Sequence, residues 1–382
     1  MYFLGQAANF SIRQTFAHFF ASGSSRHSQK LQAYLAKRYQ STPEQVFLYD
    51  NGRSALAAAL RATLSPTTNT RPKVIINGFT CYAVFEAVKS AGCQPIFADI
   101  DRQTLHFNAQ TLQATLTRHP DATAVIIQNT LGIPADLAAI ERLVKKHRLI
   151  LIEDLAHCVG TSYADGREAG TVGAATALSF GKGKSVDTIT GGALILRQAI
   201  SKLPSRPTKR PTLASSLRAR WYPFFGLLTR VFYRLKLGKL FTSLLLKLHF
   251  IQRSADAKLS LHTRLTHWQA KLALIKLQKL SANRSQLRDF YLVDNRHFIL
   301  KQLERQGYIM QDFWYEVPVS PLRYYQKINF PVNDCPTAVE VASKIINLPT
   351  HYPKSVLRPA HQFIAKYQRQ VAKEEHGTGS VA

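Results

Sequence analysis

The chain has 382 residues, enough for a large folded core, and its 46% hydrophobic and 19% charged residues exclude an intrinsically disordered chain. Its formal net charge of +27 is unevenly spread: residues 201–250 hold eleven Lys and Arg and no Asp or Glu, a balance suited to nucleic acid, anionic lipid or a polyanionic substrate. Cys81, Cys93, Cys158 and Cys335 show neither a CxxC pair nor zinc spacing, and residues 1–40 lack the apolar run of a secretory signal; reduced thiols, no metal and a cytoplasmic location are expected.

In chain order, Asn51-Gly52-Arg53-Ser54-Ala55-Leu56 comes first, entering a helix through a glycine. Free N–H groups and the positive helix end would face an anion there, although alone the pattern is only a helix start. From Val74 to Leu196, short β-rich runs alternate with helical stretches. Strands are predicted at 74–76, 95–97, 124–127, 149–152 and 193–196, and helices at 82–91, 109–118 and 135–147. Repeated strand–helix order with apolar strands predicts an α/β fold, a mostly parallel sheet covered by helices that binds ligands beyond the carboxyl ends of its strands.

Two such strand ends carry chemistry. The run Leu149-Ile150-Leu151-Ile152 leads into Glu153-Asp154-Leu155-Ala156-His157, and a strand ending Ala177-Leu178-Ser179-Phe180 precedes Lys184 and the pair Gly191-Gly192. Taken singly, Asp154 reads as a helix N-cap and Lys184 as a solvated lysine. Taken together they supply what pyridoxal 5′-phosphate requires, a lysine for a Schiff base and an acid for the pyridinium nitrogen, with the Gly52 helix start and the Ser179 hydroxyl as a phosphate site.

Residues 199–215, with Pro204, Pro207 and Pro211, read as a linker. Beyond it, Leu227, Leu228, Val231, Phe232 and Leu235 recur at helical spacing opposite Arg230 and Arg234, and Leu240, Phe241, Leu244, Leu245 and Leu248 continue the stripe past Gly238. Cations interrupt it too often for a membrane span, so an interfacial amphipathic helix or a broken helical hairpin is expected. The competing reading is a helical pair packed on the protein's own core or on a partner subunit, with its cations in solvent. No nucleic-acid motif accompanies the charge, and nucleic acid is not expected as a partner. Helices at 268–280 and 288–306, a β region at 308–329, a helix at 337–346 and a disordered tail from Lys373 complete the chain. The expected division is a large domain at 1–200, a basic amphipathic insertion at 201–255 and a smaller α+β domain at 256–382.

The order of segments resembles the DegT/StrS-type family of sugar aminotransferases, pyridoxal-phosphate enzymes of the aspartate-aminotransferase fold, fold type I. Asn51 to Leu56 is similar to the family's Gly-Thr-x-Ala-Leu, Gly92 to Ile100 to its Gly-x-x-Pro-x-Phe-x-Asp-Ile, and Gly132 to Asp136 to its Gly-x-Pro-Ala-Asp. Glu153 to His157 stands for Glu-Asp-Ala-Ala followed by Gln or His, and Ser179-Phe180 with Lys184 for Ser-Phe-x-x-x-Lys. Cys335 to Ala338 and Leu348 to His351 resemble Cys-Pro-x-Ala and Leu-Pro-x-His.

The resemblance implies that Lys184 is the Schiff-base lysine and proton shuttle, that Asp154 partners the pyridinium nitrogen, and that His157 lies beside the ring's phenolic oxygen. Ser179, Gly52 and the backbone of Arg53 and Ser54 would hold the phosphate, while Lys182, at the wrong spacing from Ser179, is the competing lysine. Three features depart from the family: Cys81 and Tyr82 follow Thr80 where an aromatic covers the ring, His262-Thr263-Arg264-Leu265 replaces Asn-x-Arg-Met, and residues 201–250 are extra. The implied protein is a homodimeric aminotransferase that moves an amino group from an amino acid such as glutamate to a keto-sugar, expected to be nucleotide-linked with a lipid as the other carrier. Surface polysaccharide or glycolipid would be the product, with residues 217–250 on an anionic membrane at the cytoplasmic face. The alternative is a catalytically idle member acting as a membrane-associated binding or assembly subunit; a 3-dehydratase is disfavoured because such enzymes lack the lysine.

Overall fold

The computed structural model describes residues 2–4, 10–64, 71–197, 203–280, 288–310, 314–350 and 352–377. Its centre is a seven-stranded sheet in the spatial order 46–49, 192–196, 175–179, 150–154, 122–127, 73–77, 94–98. The five strands from 175–179 to 94–98 run parallel, whereas 192–196 is antiparallel to both of its neighbours. Val125, Ile126, Ile152, Ala175, Leu194 and Ile195 are wholly inaccessible, which is why these strands read as unbroken apolar runs: helices cover both faces of the sheet. Every predicted strand and helix between 74 and 196 is present, and the helix Ala109–Arg118 starts where Asn108 Oδ1 accepts the Thr111 N–H at 2.9 Å. The strand Val46–Tyr49, not predicted, pairs with Gly192–Leu196 at the sheet edge.

The motif segments tie this domain to the smaller one. Asp99, just past the strand Gln94–Ala98, accepts the N–H groups of Thr337 and Ala338 at 3.1 and 2.9 Å, so one motif's carboxylate caps the helix Pro336–Lys344 of another. Asp136 likewise caps the helix Leu137–Lys146 through Ala139 N–H at 3.2 Å.

The small domain packs the helices Arg296–Arg305 and Lys354–Gly377 on an antiparallel pair, 288–292 with 345–349, around Leu4, Ile299, Leu303, Ile346 and Ile364. Several expectations change here. Residues 288–306 divide into a strand and a helix rather than one helix, and the expected β region keeps only the short strands Tyr308–Ile309 and Val319–Ser320. The chain from Lys373 to Gly377 continues the last helix, and the remainder of the expected disordered tail lies outside the described residues. The helix His267–Lys279, counted with the C-terminal domain, buries Ala270, Ala273 and Leu277 in the core under the large sheet, while Tyr2–Phe3 pairs with Tyr308–Ile309. Contacts distant in sequence, invisible to a linear division, decide both.

The basic insertion forms a broken helical hairpin, Leu213–Arg234 and Gly238–Lys247, closed by stacking of Phe232 on Phe241 at 4.1 Å between centroids. Pro223 lies inside the first helix and lacks the N–H that would bond the Ala219 carbonyl. His18 Nε2 fills that role at 3.0 Å, pinning the hairpin to the N-terminal helix Ile12–Phe19. Arg220 donates to the Phe19 and Ala21 carbonyls and Arg230 to that of Phe10 at 2.6 Å. The hairpin's buried residues are Ala219, Pro223, Gly226, Thr229, Tyr233, Gly238 and Leu245, whereas Leu217, Trp221, Val231, Leu235, Leu240, Leu244 and Leu248 are exposed. The reading of core-facing leucines with cations in solvent is therefore inverted for Arg220 and Arg230. No helix among the described residues is long and apolar enough to cross a membrane.

Candidate active site

Beyond the carboxyl ends of the strands Ile150–Asp154 and Ala175–Ser179 lies a cavity of about 190 Å³. Gly52, Arg53, Cys81, Asp154, His157, Ser179 and Lys184 line it. Strand alternation sends the two adjacent acids to opposite faces. Glu153 accepts the N–H groups of Gly170, Val172 and Gly173 at 2.7 to 2.8 Å and the Tyr163 hydroxyl at 3.0 Å, securing the loop behind the sheet. Asp154 faces the cavity, with Ala156 N–H donating to Oδ1 at 2.9 Å, and burial pushes its carboxyl up to about 6 against that bond and the nearby Lys184.

Lys184 belongs to a turn clamped from two sides. Asp187 accepts the Gly183 and Ile189 N–H groups at 2.8 Å each, and Gln269 Nε2 donates to the Thr188 and Thr190 carbonyls at 3.1 and 3.0 Å. Burial pulls the Lys184 amine below its ordinary value, opposed by Cys81 and Asp154, which favours the neutral, nucleophilic form. Lys182 diverges towards the insertion: its Nζ donates to the Gln252 carbonyl and lies 4.3 Å from the centre of the Tyr222 ring.

His157 Nδ1 accepts the Leu131 N–H at 3.1 Å, so the neutral ring carries its proton on Nε2, which faces the Tyr315 hydroxyl at 3.3 Å. Burial first, then Lys184 and Arg288, holds this imidazole well below its usual range. At the helix Gly52–Thr63, Asn51 Oδ1 accepts both the N–H and the hydroxyl of Ser54, at 2.8 and 2.9 Å. The Ser54 N–H is thus already committed, leaving Gly52 and Arg53 to head the helix. A Cβ on Gly52 would lie 2.6 Å from that of Ser179, so only glycine lets the helix start meet the strand end. The Arg53 side chain turns away to Glu86 and to the Ala257 carbonyl at 2.7 Å.

Tyr82 is the expected site residue that the fold removes, since its ring stacks on Tyr324 at 4.3 Å and 9°, outside the cavity. Trp314, which no motif marked, lies over the site instead: its ring stacks on His157 at 4.4 Å and 9°, with Lys184 Nζ 4.4 Å from its centre. It arrives from the small domain, where Asn347 brackets its backbone, so no local spacing in the sequence could have announced it.

A mostly parallel sheet presenting a half-buried lysine, a buried carboxylate and a glycine-headed helix at its carboxyl edge defines the pyridoxal-phosphate transferase class of fold type I. The chain belongs to the DegT/DnrJ/EryC1/StrS aminotransferase family, whose model matches residues 23–355. It is 32% identical over 146 residues to a pleiotropic regulatory protein of Geobacillus stearothermophilus and 34% identical over 141 residues to the spore coat polysaccharide biosynthesis protein SpsC of Bacillus subtilis. These stretches are 38% and 37% of this chain and 38% and 36% of the two relatives. The fold is similar to that of Spr1654 of Streptococcus pneumoniae, a proposed sugar aminotransferase in its PMP form, with a TM-score of 0.66 at 16% identity over 96% of this chain and 98% of that one. The family's cofactor is pyridoxal phosphate, and the donor set suits it: an amine of lowered pKa, an acid for the ring nitrogen and N–H groups for a phosphate.

Proposed function

We propose that the protein is a pyridoxal-phosphate-dependent aminotransferase, working as a homodimer, that transfers an amino group from an amino acid such as glutamate to a keto-sugar used in surface polysaccharide or glycolipid synthesis. The observation that carries this reading is the meeting of Lys184 and the buried Asp154 in one cavity, which also favours catalysis over an idle binding subunit. When bound, the cofactor supplies an electron sink that lets a Cα proton leave the amino acid. Lys184 anchors it covalently and moves that proton; Asp154 holds positive charge at the ring nitrogen, and the His157 Nε2–H orients the phenolic oxygen. Gly52, Arg53 and Ser179 bind the phosphate, with Asn51 capping the helix that carries it through the Ser54 N–H. Cys81 and Trp314 bound the space for the ring. The donor leaves as a 2-oxo acid and the keto-sugar as an amino sugar. Glutamate alone should bleach the visible band of the bound cofactor and release 2-oxoglutarate, and a keto-sugar should restore it; an unchanged spectrum with every amino acid would overturn the assignment.

The exposed leucines and acid-free charge of residues 217–250 support a second element of the proposal, attachment to an anionic membrane at its cytoplasmic face.

A further inference from the structure

The hairpin is not an appendage beside the site, because Ser215, Arg218 and Tyr222 of its first helix line the same cavity as Lys184 and Asp154. A second compartment of about 350 Å³ adjoins it, walled by Phe225, Gly226 and Thr229 of the first helix, Thr242 and Leu246 of the second, and Pro321. Lys182, Tyr222, Gln252, Arg253 and Trp314 line both spaces and form the neck between them. Two of these are cations, and among the described residues no acid lines both spaces; Glu316 lies in the outer compartment with Arg323, which pairs with Asp256 at 2.5 Å.

We propose that the sugar substrate is carried on an anionic lipid: the sugar reaches Lys184, the carrier phosphate rests at the neck against Lys182 and Arg253, and the proximal part of the chain lies between the hairpin helices. This rests on the aminotransferase reading and names its substrate class, in place of the nucleotide carrier expected from the sequence. The hairpin's wall of the outer compartment is apolar at Phe225, Gly226 and Leu246 and polar at the Tyr222, Thr229 and Thr242 hydroxyls, a surface that suits an isoprenoid chain, while Gln252, Arg253, Ser254, Ser320 and Arg323 line the other walls. The charge complements an anionic carrier, since residues 201–250 contain no acid. The exposed leucines of the same hairpin suit an enzyme that meets its substrate at a membrane.

Binding to the full-length holoenzyme tests this, read by quenching of tryptophan fluorescence with farnesyl phosphate as the lipid probe and UDP as the nucleotide probe. Farnesyl phosphate should bind at least about tenfold more tightly than UDP. Leu246→Trp, which fills the outer compartment, should weaken it by about tenfold or more, Arg253→Ala by roughly fivefold, and Leu240→Ser on the outward face not at all. Tighter binding of UDP, or loss at Leu240 with none at Leu246, would overturn the proposal. The wild-type half-reaction with glutamate needs no carrier and reports on the aminotransferase reading separately: its failure sinks that reading, whereas its success beside tight UDP binding sinks only the lipid carrier.

Discussion

Two helices of the molecule, each mixing apolar side chains with cations, bury opposite kinds of side chain. Leu137–Lys146 buries Leu137, Ala139 and Ile140 against the sheet, and Lys145 at its end is exposed. Leu213–Arg234 buries Ala219, Pro223, Gly226 and Thr229 and leaves Leu213, Leu217 and Val231 exposed at 76%, 45% and 53%. The first helix finds its apolar partner within the chain. The second brings its small residues into close approach with the N-terminal helix and the Lys184 turn and, Tyr233 apart, keeps many of its large ones outward, the kind of exposed apolar face that marks an interaction surface. The core thus holds the candidate site, and the proposed membrane attachment rests on the insertion alone.

The two regions should fail separately. Lys184→Ala should lower turnover by roughly a thousandfold or more, and borohydride should cease to fix a pyridoxyl group at that position, while vesicle binding persists. A label found instead on Lys182 in the wild type would break the assignment. Asp154→Asn keeps hydrogen bonding but removes charge, so turnover should fall about a hundredfold with the thermal midpoint little changed; retained turnover would mean another partner for the ring nitrogen.

On the other side of the comparison, Arg234, Lys236 and Lys239 are exposed, whereas Arg230 is committed to the Phe10 carbonyl. At about 1 kcal/mol per cation near an anionic surface, changing the three exposed cations to Gln should weaken co-sedimentation with anionic vesicles roughly a hundredfold. Wild-type binding should depend on anionic lipid and weaken with salt. Indifference to vesicles would return the exposed leucines to a protein interface.

Acid should loosen the hinge between the regions. Burial lowers His18 to about 4, with Lys276 and Arg220 adding to the effect, while Asp154 is raised to about 6. For His18 the unfolded chain binds the extra proton between about 4 and 6.5, so its stabilising contribution is complete above that window and lost as pH falls through it. Asp154 has the opposite sign: in the cofactor-free protein its contribution is lost as pH rises from 3.8 towards 6. Urea unfolding of the apo-protein from pH 4 to 7 should therefore show His18→Gln losing its acid sensitivity by on the order of 2 kcal/mol relative to wild type, and Asp154→Asn gaining it. The smallest effect is expected from Leu240→Ser, a side chain 70% exposed, which should weaken vesicle binding by less than about tenfold and leave folding unaltered.

The strands and helices between 74 and 196 were legible because each announces itself locally, by apolar runs buried on both faces and by caps such as Asn108 and Asp136. The candidate site was legible to the same extent: Asp154, His157, Ser179 and Lys184 stand at strand ends or in a short loop, and parallel strands bring those ends to one edge. Tertiary structure decided the rest. Trp314 reaches Lys184 and Tyr82 leaves the cavity through packing across the two domains, which sequence separation conceals. The stripe of residues 217–250 declared an amphipathic hairpin, but its period could not say which face turns inward. That was settled by Pro223 freeing the Ala219 carbonyl for His18, by Arg220 and Arg230 finding carbonyls in the N-terminal segment, and by small side chains fitting where leucines would not.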